Sequence, residues 1–314
     1  MWKKLSLLFV VAIVSIFAVA CSSTKEEEKS SESKKEEKVT ITHKLGETEL
    51  KKNPEKVVAF DFGILDSLDQ LGTDVVAVPQ ATVPPYLEKF ADKKYANVGS
   101  LKEPDFEKLS EVSPDLIIIS ARQAELYEEF SKIAPTVYME LDTNNYMKSF
   151  KENMTTLGEI FGKEAEAEKE VAKVEDSVKK LNEKASKLDE KALIVLANDG
   201  TVSAYGPNSR FGIIHNEFGI KPVDENIEES RHGQSISFEY IAEKNPDYLF
   251  VIDRGAVVGG ESSAKRVVEN DIVKTTNAYK NDNVVYLDAN YWYLSGGGLV
   301  STAEMAKEVE EGLK

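Results

Sequence analysis

Apolar residues in this chain follow three different rhythms. Short unbroken runs occupy Val57–Phe60, Leu116–Ile119, Leu193–Ala197 and Tyr248–Ile252. Runs of four or five, bounded by turn residues such as Pro114-Asp115 and Pro246-Asp247, read as strands buried on both faces, the habit of parallel sheets. Thr136–Met139 and Val284–Leu287 are predicted to add later strands. The second rhythm is helical. Met147, Phe150, Met154, Leu157 and Phe161 recur at spacings of three and four, as do Val171, Val174, Val178, Leu181, Ala185 and Leu188. Gly158 and Gly162 would bend or interrupt the first stretch. The second, Lys163 to Leu188, would run about 39 Å at 1.5 Å per residue. It has fewer than four clean heptads, which argues against a coiled coil and for a spine lying across two packed bodies. Shorter helices are predicted to end at Leu71-Gly72 and, after Leu193–Ala197 and a turn, near Phe218-Gly219. The third rhythm is the uncharged run from Leu5 to Ala20.

Two of the strand runs belong to an internal repeat. Asp105 to Arg122 reads DFEKLSEVSPDLIIISAR, and Ser237 to Arg254 reads SFEYIAEKNPDYLFVIDR. With a shift of 132 they share Phe, Glu, Glu, Pro, Asp and Arg, and apolar positions match apolar positions. Self-similarity of this kind marks duplicated units. Each copy reads as a short helix carrying a Glu, a Pro-Asp turn, a buried strand and an Arg at the strand's carboxyl end. In open α/β sheets that edge is where ligands bind. Each half therefore looks like a small α/β lobe rich in parallel strands.

The ends set location. Lys3 and Lys4 precede the Leu5–Ala20 run, and Ala18, Val19 and Ala20 precede Cys21. This is the pattern of an export signal, too short for a spanning helix. Cys21 is the sole cysteine, so no intrachain disulfide can form. Ala-Val-Ala-Cys resembles a bacterial lipobox, with Ala18 where the commoner form has Leu, and predicts a lipid on Cys21. Ser22 to Lys38 contains only Ser, Thr, Lys and Glu, which gives nothing to pack and predicts a solvated tether of roughly 20–25 Å mean reach. The 314 residues are 41% hydrophobic, enough for real cores. The formal charge of −16 becomes −18 once Lys3 and Lys4 leave, which opposes nucleic-acid binding. An anionic ligand would need a local concentration of positive charge.

Arginine supplies candidates for it. Beyond Cys21 there are five arginines beside a large excess of lysine. Arg122 and Arg254 are equivalent repeat positions at strand ends. Arg210 lies in AYGPNSRFG, a Gly-Pro loop before a helix start, and Arg231 in ESRHGQS. The planar guanidinium fork suits oxygen anions and stacks on rings. Tyr291, Trp292 and Tyr293 precede Leu-Ser-Gly-Gly-Gly after a strand end, and Tyr205 and His232 lie beside Arg210 and Arg231. Trp292, Tyr293, Tyr205 and His232 are thus candidates for an aromatic wall, against a competing reading as core. The three histidines, His43, His215 and His232, have no ligand spacing, so no metal is expected to be held directly. No Walker loop, Gly-x-Ser-x-Gly elbow or His-Glu-x-x-His is present, and nothing reads as catalysis. Glu107 and Glu239, equivalent in the repeat, read either as ordinary exposed carboxylates or as paired knobs for a two-fold membrane partner.

From about Val39 onward the chain resembles the siderophore-binding lipoproteins of ATP-driven iron importers. NPEKVVAFDFGILDSLDQLG, SLKEPDFEKLSEVSPDLIIISAR, AYGPNSRFGIIHNEFG, HGQSISFEYI, NPDYLFVIDRG and WYLSGGG carry the resemblance and look most like the petrobactin-binding members of Gram-positive bacteria. Petrobactin is a mixed catecholate–citrate siderophore. The resemblance implies an α/β class III solute-binding protein: two Rossmann-like lobes joined by a long backbone helix, with little hinge closure. Expected divisions are a signal peptide over 1–20, a lipid-anchored tether over 21–38, lobes over 39–144 and 189–314, and the connecting helix over 145–188. The resemblance puts the basic set on Arg122, Arg210 and Arg254 and the docking glutamates on Glu107 and Glu239. It implies a monomer at the outer face of the cell membrane, a ferric siderophore as ligand, and a permease dimer with a cytoplasmic ATPase as partner. Iron would be held by the siderophore alone, with no other cofactor and no enzymatic activity. Two readings stay beside it: a haem or cobalamin binder on the same fold, and an anchored surface enzyme or adhesin.

Overall fold

The structure, a computed structural model, describes residues 37–230, 232–260 and 263–314. The expected signal peptide, Cys21 and nearly all of the tether lie outside the described residues. Lys38, assigned to the tether, already begins a strand. β1 (Lys38–His43) and β2 (Gly46–Lys51) form an antiparallel hairpin.

The first lobe is a parallel sheet. β3 (Val57–Ala59), β4 (Ala77–Val78), β5 (Ala96–Asn97), β6 (Leu116–Ile119) and β7 (Thr136–Tyr138) lie in the order β5-β4-β3-β6-β7. α1 (Phe62–Gln70) follows β3, and α2 (Phe106–Val112) precedes β6. α3 (Tyr146–Phe161) and α4 (Glu164–Ala185) come next. Gly162, at φ 59°, ends α3. The chain then doubles back, and Lys151 on α3 pairs with Glu175 on α4 at 3.1 Å. The expected continuous helical stretch is therefore a hairpin, because a residue in the left-handed region cannot continue a right-handed helix and glycine takes that conformation freely. Only α4 acts as the spine. Its 22 residues span about 33 Å. Gln70 reaches Glu170 near its start, and Asn182 near its end donates to the Glu217 carbonyl in the second lobe.

The second sheet contains β8 (Lys191–Asn198), β9 (Thr201–Tyr205), β10 (Lys221–Pro222), β11 (Gln234–Ile236), β12 (Tyr248–Asp253) and β13 (Val284–Leu287). Its order is β11-β9-β8-β12-β13, with β10 also on β8. β8, β12 and β13 are parallel. The helix expected to end near Phe218-Gly219 is a short one, Ile213–Asn216, and where only a turn was expected before it the antiparallel strand β9 intervenes. Asp199 (φ 45°) and Gly200 (φ 86°) make the tight reversal, the pair favoured where both turn residues need positive φ. α5 (Phe238–Lys244) precedes β12, and α6 (Leu299–Gly312) closes the chain.

The repeat is a structural one. α2 and α5 each have seven residues and end in left-handed caps at Ser113 and Asn245, 132 positions apart. Asp115 then accepts from the Lys56 amide before β3, as Asp247 accepts from the Lys191 amide opening β8. The shared Pro-Asp therefore fastens each central strand to its neighbour.

One apolar core runs through both lobes and the helical hairpin, from Ile41 to Leu313. The lobes are also joined by a polar lock. Asp66 on α1, fully buried, accepts from the Val300 and Ser301 amides at the start of α6 (3.3 and 3.1 Å) and from Tyr86 Oη (3.1 Å). The Ser67 hydroxyl accepts from the Leu299 amide. A Cβ at Gly298 would lie 2.1 Å from Asp66 Oδ1, and one at Gly63 would lie 2.6 Å from the Ser295 carbonyl oxygen. The glycines of Gly296–Gly298 thus permit backbone and carboxylate to meet at this joint.

Candidate functional site

Where the two lobes face one another, the strand ends deliver polar side chains into one cleft. On the first lobe, Asp61 follows β3 and caps α1 by accepting from the Gly63 and Ile64 amides. Its other oxygen accepts from Ser120 Oγ at 2.7 Å and lies 3.6 Å from Arg122 Nη1. Arg122 comes three residues after β6. Gln123 shapes that corner, accepting from the Ser120 amide and donating to the Leu101 carbonyl.

On the second lobe, the loop after β9 is tightly wound. Ser209 Oγ donates to the Gly206 carbonyl, and a Cβ at Gly212 would collide with the Pro207 carbonyl oxygen at 1.8 Å. Arg210 projects from this loop. Arg254 follows β12, and its Nη1 donates to Asn198 Oδ1 at the end of β8 (2.6 Å).

Tyr293 gathers the three arginines. It lies in a single π turn, Asn290–Leu294, after β13. Such turns are frequent at functional sites. Its main-chain carbonyl accepts from Arg122 Nη2 (2.7 Å) and Arg210 Nη2 (3.0 Å), and its hydroxyl accepts from Arg254 Nε (2.9 Å). Its ring lies under the guanidinium groups of Arg210 (4.6 Å) and Arg254 (5.6 Å). Phe211 supports Arg210 from another side at 5.0 Å.

The cleft has a volume of about 490 Å³ and is walled by Arg122 and Arg210, with Asp61, Ser120, Asn208 and Glu229 beside them. Arg254 is not part of that wall and joins the group through Tyr293. Among the described residues, Asp61 is the one carboxylate that makes an ion pair with any of the three arginines. The positive charge is held under strain. Burial, and then the neighbouring Arg122 charge, bring Arg210 down to about 10. Burial opposes ionisation of the Tyr293 phenol, but the Arg254 hydrogen bond and the three guanidinium charges outweigh it and lower its pKa. Each guanidinium has five N–H donors, and Arg122 and Arg210, the two on the wall, each spend one hydrogen bond on Tyr293. Such a cluster is built to receive a multiply charged oxygen anion.

The aromatic expectations divide. Tyr293 is central, though as a scaffold for arginines. Trp292 touches the cleft, but its indole is only 2% exposed, donates to Glu308 at 2.7 Å and packs edge-on to Phe211 and Phe218. Tyr205 is off the wall, buried against Phe211 with Gly233 folded over its ring. His232 is exposed in its loop and also off the wall. His215 is buried, its Nδ1 2.7 Å from the Ile220 carbonyl oxygen, and burial brings it down to about 4. Arg231 lies outside the described residues. Glu107 and Glu239 are exposed in the first turns of α2 and α5. No group of three or more metal-ligating side chains occurs among the described residues. Asp61, Ser120 and Asn198 escaped the sequence reading. All three stand at carboxyl ends of strands, and the rule that singled out Arg122 and Arg254 would have found them.

Comparison with known proteins agrees with this fold. The model of a family described as periplasmic binding protein matches residues 57–291. The chain is 54% identical to the petrobactin-binding protein YclQ of Bacillus subtilis, covering 99% of each chain. The crystal structure of YclQ superposes with a TM-score of 0.87 at 56% identity, over 88% of this chain and 99% of that one. The siderophore-binding protein BauB, solved with two acinetobactin molecules and ferric iron, gives 0.82 at 35% identity, over 88% of this chain and 99% of its own. A family match across three quarters of the sequence, on a two-lobed α/β fold with its cleft between the lobes, means that this chain belongs to the periplasmic binding protein family.

Proposed function

We propose that this protein is a receptor that captures a ferric siderophore of the catecholate–carboxylate kind, petrobactin or a close analogue, and passes it to an ATP-driven importer. The observation that carries the reading is the convergence of Arg122, Arg210 and Arg254 on Tyr293, with Arg122 and Arg210 on the wall of one cleft between the lobes. Deprotonated catecholate and carboxylate oxygens wrapped around iron make a compact polyanion, and guanidinium forks match it in charge and in geometry. Burying such an anion without partners would be prohibitive. The names of YclQ and BauB point the same way. Iron is held by the siderophore, so the protein needs no metal ligands, no cofactor and no catalytic group.

Capture occurs outside the cell, with a lipid on Cys21 holding a monomeric receptor at the membrane. The exposed carboxylates of Glu107 and Glu239, one per lobe, meet basic sockets on the two subunits of the permease, whose cytoplasmic ATPase drives import. The test of the ligand reading uses the chain's own reporter, since Trp292 is the one tryptophan besides Trp2. Titration with ferric petrobactin should quench Trp292 fluorescence with saturation at nanomolar concentration. A flat response across ferric catecholate, carboxylate and hydroxamate siderophores would sink the proposal.

A further inference from the structure

The cleft has a second end with different chemistry. Besides the arginines, the same cavity is lined by Ile64, Met139, Leu141, Tyr146 and Met305, which make an apolar recess. These residues come from α1, the segment after β7, the start of α3, and α6, so the recess lies along the joint between the lobes. Its wall is continuous. Tyr146 Oη lies 3.9 Å from Met305 Sδ and 3.4 Å from Thr302 Oγ1, and a Cβ at Gly297 would lie 3.0 Å from a Leu141 methyl. Ile64, Met139, Tyr146 and Met305 are all under 5% exposed.

The recess carries no cationic side chain for an anion. Two of the polar groups beside it are already engaged, Tyr146 with Thr302 and Asn153 Nδ2 with the Glu140 carbonyl. A bare ferric chelate would therefore be held at the arginine end and kept out of the recess by desolvation. The two methionines give the wall an adaptable character, because an unbranched thioether side chain repacks around different shapes at low cost.

We infer that the ligand is amphipathic, and that this recess takes an uncharged aryl or alkyl arm attached to the ferric chelate. The inference rests on the siderophore reading above and adds a second point of recognition. The arginines hold the iron-bound oxygens, and the recess selects among chelates of equal charge by what they carry. Leu141 is the side chain best placed to set that selection, being only partly buried and in contact with the glycine segment.

The experiment compares ferric complexes of N-methyl- and N-butyl-3,4-dihydroxybenzamide, which have the same chelate and charge and differ by three methylenes. Each methylene buried contributes about fourfold in affinity. The butyl complex should therefore bind the wild-type protein roughly 10- to 60-fold more tightly than the methyl complex, read by Trp292 quenching. Leu141→Phe, which narrows the recess, should bring the butyl-to-methyl affinity ratio down towards one. Equal affinity of the wild type for both complexes would overturn the inference while leaving the anion cleft standing. Failure of both complexes to bind would remove the cleft reading, and this inference with it. The wild-type comparison decides the matter even if the variant fails to fold.

Discussion

Arg210→Met should change two properties in opposite directions. The bringing of Arg210 from 12.5 to about 10 corresponds to roughly 3 kcal/mol against its charged form in the empty protein. That energy reflects burial and the nearby Arg122 charge, neither of which a methionine of similar length would meet. The substitution orphans nothing, because the Tyr293 carbonyl keeps Arg122 as a donor at 2.7 Å. Some stacking on Tyr293 and Phe211 is lost, worth about 1 kcal/mol. The empty variant should therefore be more stable by about 1–2 kcal/mol, a rise in Tm of a few degrees for a chain of this size. Ferric siderophore affinity should fall, since a charge-assisted hydrogen bond contributes about 1.5–3 kcal/mol, or roughly 10- to 150-fold in Kd. Thermal unfolding without ligand and quenching titration with ferric petrobactin measure the two effects. A variant less stable than wild type would show that Arg210 is a structural residue, and the account of stored charge would be wrong.

Three further expectations follow from the same geometry. Tyr293→Phe removes the hydroxyl that accepts from Arg254 while keeping the carbonyl and ring; affinity should fall about threefold to tenfold, and unchanged Kd by titration would deny Arg254 a part in binding. Burial raises Asp66 to about 7 against the pull of its Ser301, Tyr86 and Val300 hydrogen bonds. Its folded carboxyl thus holds a proton more tightly than the unfolded one, so its stabilising contribution is complete below about pH 4 and is lost as pH rises through 7. Between pH 5 and 8, urea unfolding should show wild-type stability falling relative to Asp66→Asn by a few kcal/mol; parallel pH curves would contradict this. Reversing both docking carboxylates, Glu107→Arg with Glu239→Arg, should leave titration curves unchanged and abolish uptake of labelled ferric siderophore by cells; undiminished uptake would discard the docking role.

The repeat was legible because duplication preserved side chains with positional jobs: the Pro-Asp that ties strand to strand, the left-handed caps, and the arginines at strand ends. The long helical pattern was legible as periodicity but not as direction, since the apolar spacing is the same whether Gly162 bends a helix or reverses it. β9 was missed although Asp199-Gly200 announces a hairpin, because the apolar run before it fits a βα unit equally well. Trp292 and Tyr205 read as ligand contacts from their neighbourhood, and burial moved them into support. The role of Tyr293 could be read only in part, because the group that gathers Arg122 and Arg210 is a main-chain carbonyl, present at every position and informative at none. Asp66 gave no signal either. Its partners are backbone amides more than 230 positions away.

That distant joint has a consequence for traffic at the membrane. A receptor whose halves are stapled by a buried carboxylate, a glycine seam and one shared core has little freedom to snap shut around cargo. Vacant and laden molecules would then present nearly the same silhouette to an importer. Discrimination would fall to the guest itself, through the charge it cancels at the mouth, and vacant receptors in excess would slow import by occupying the same berth.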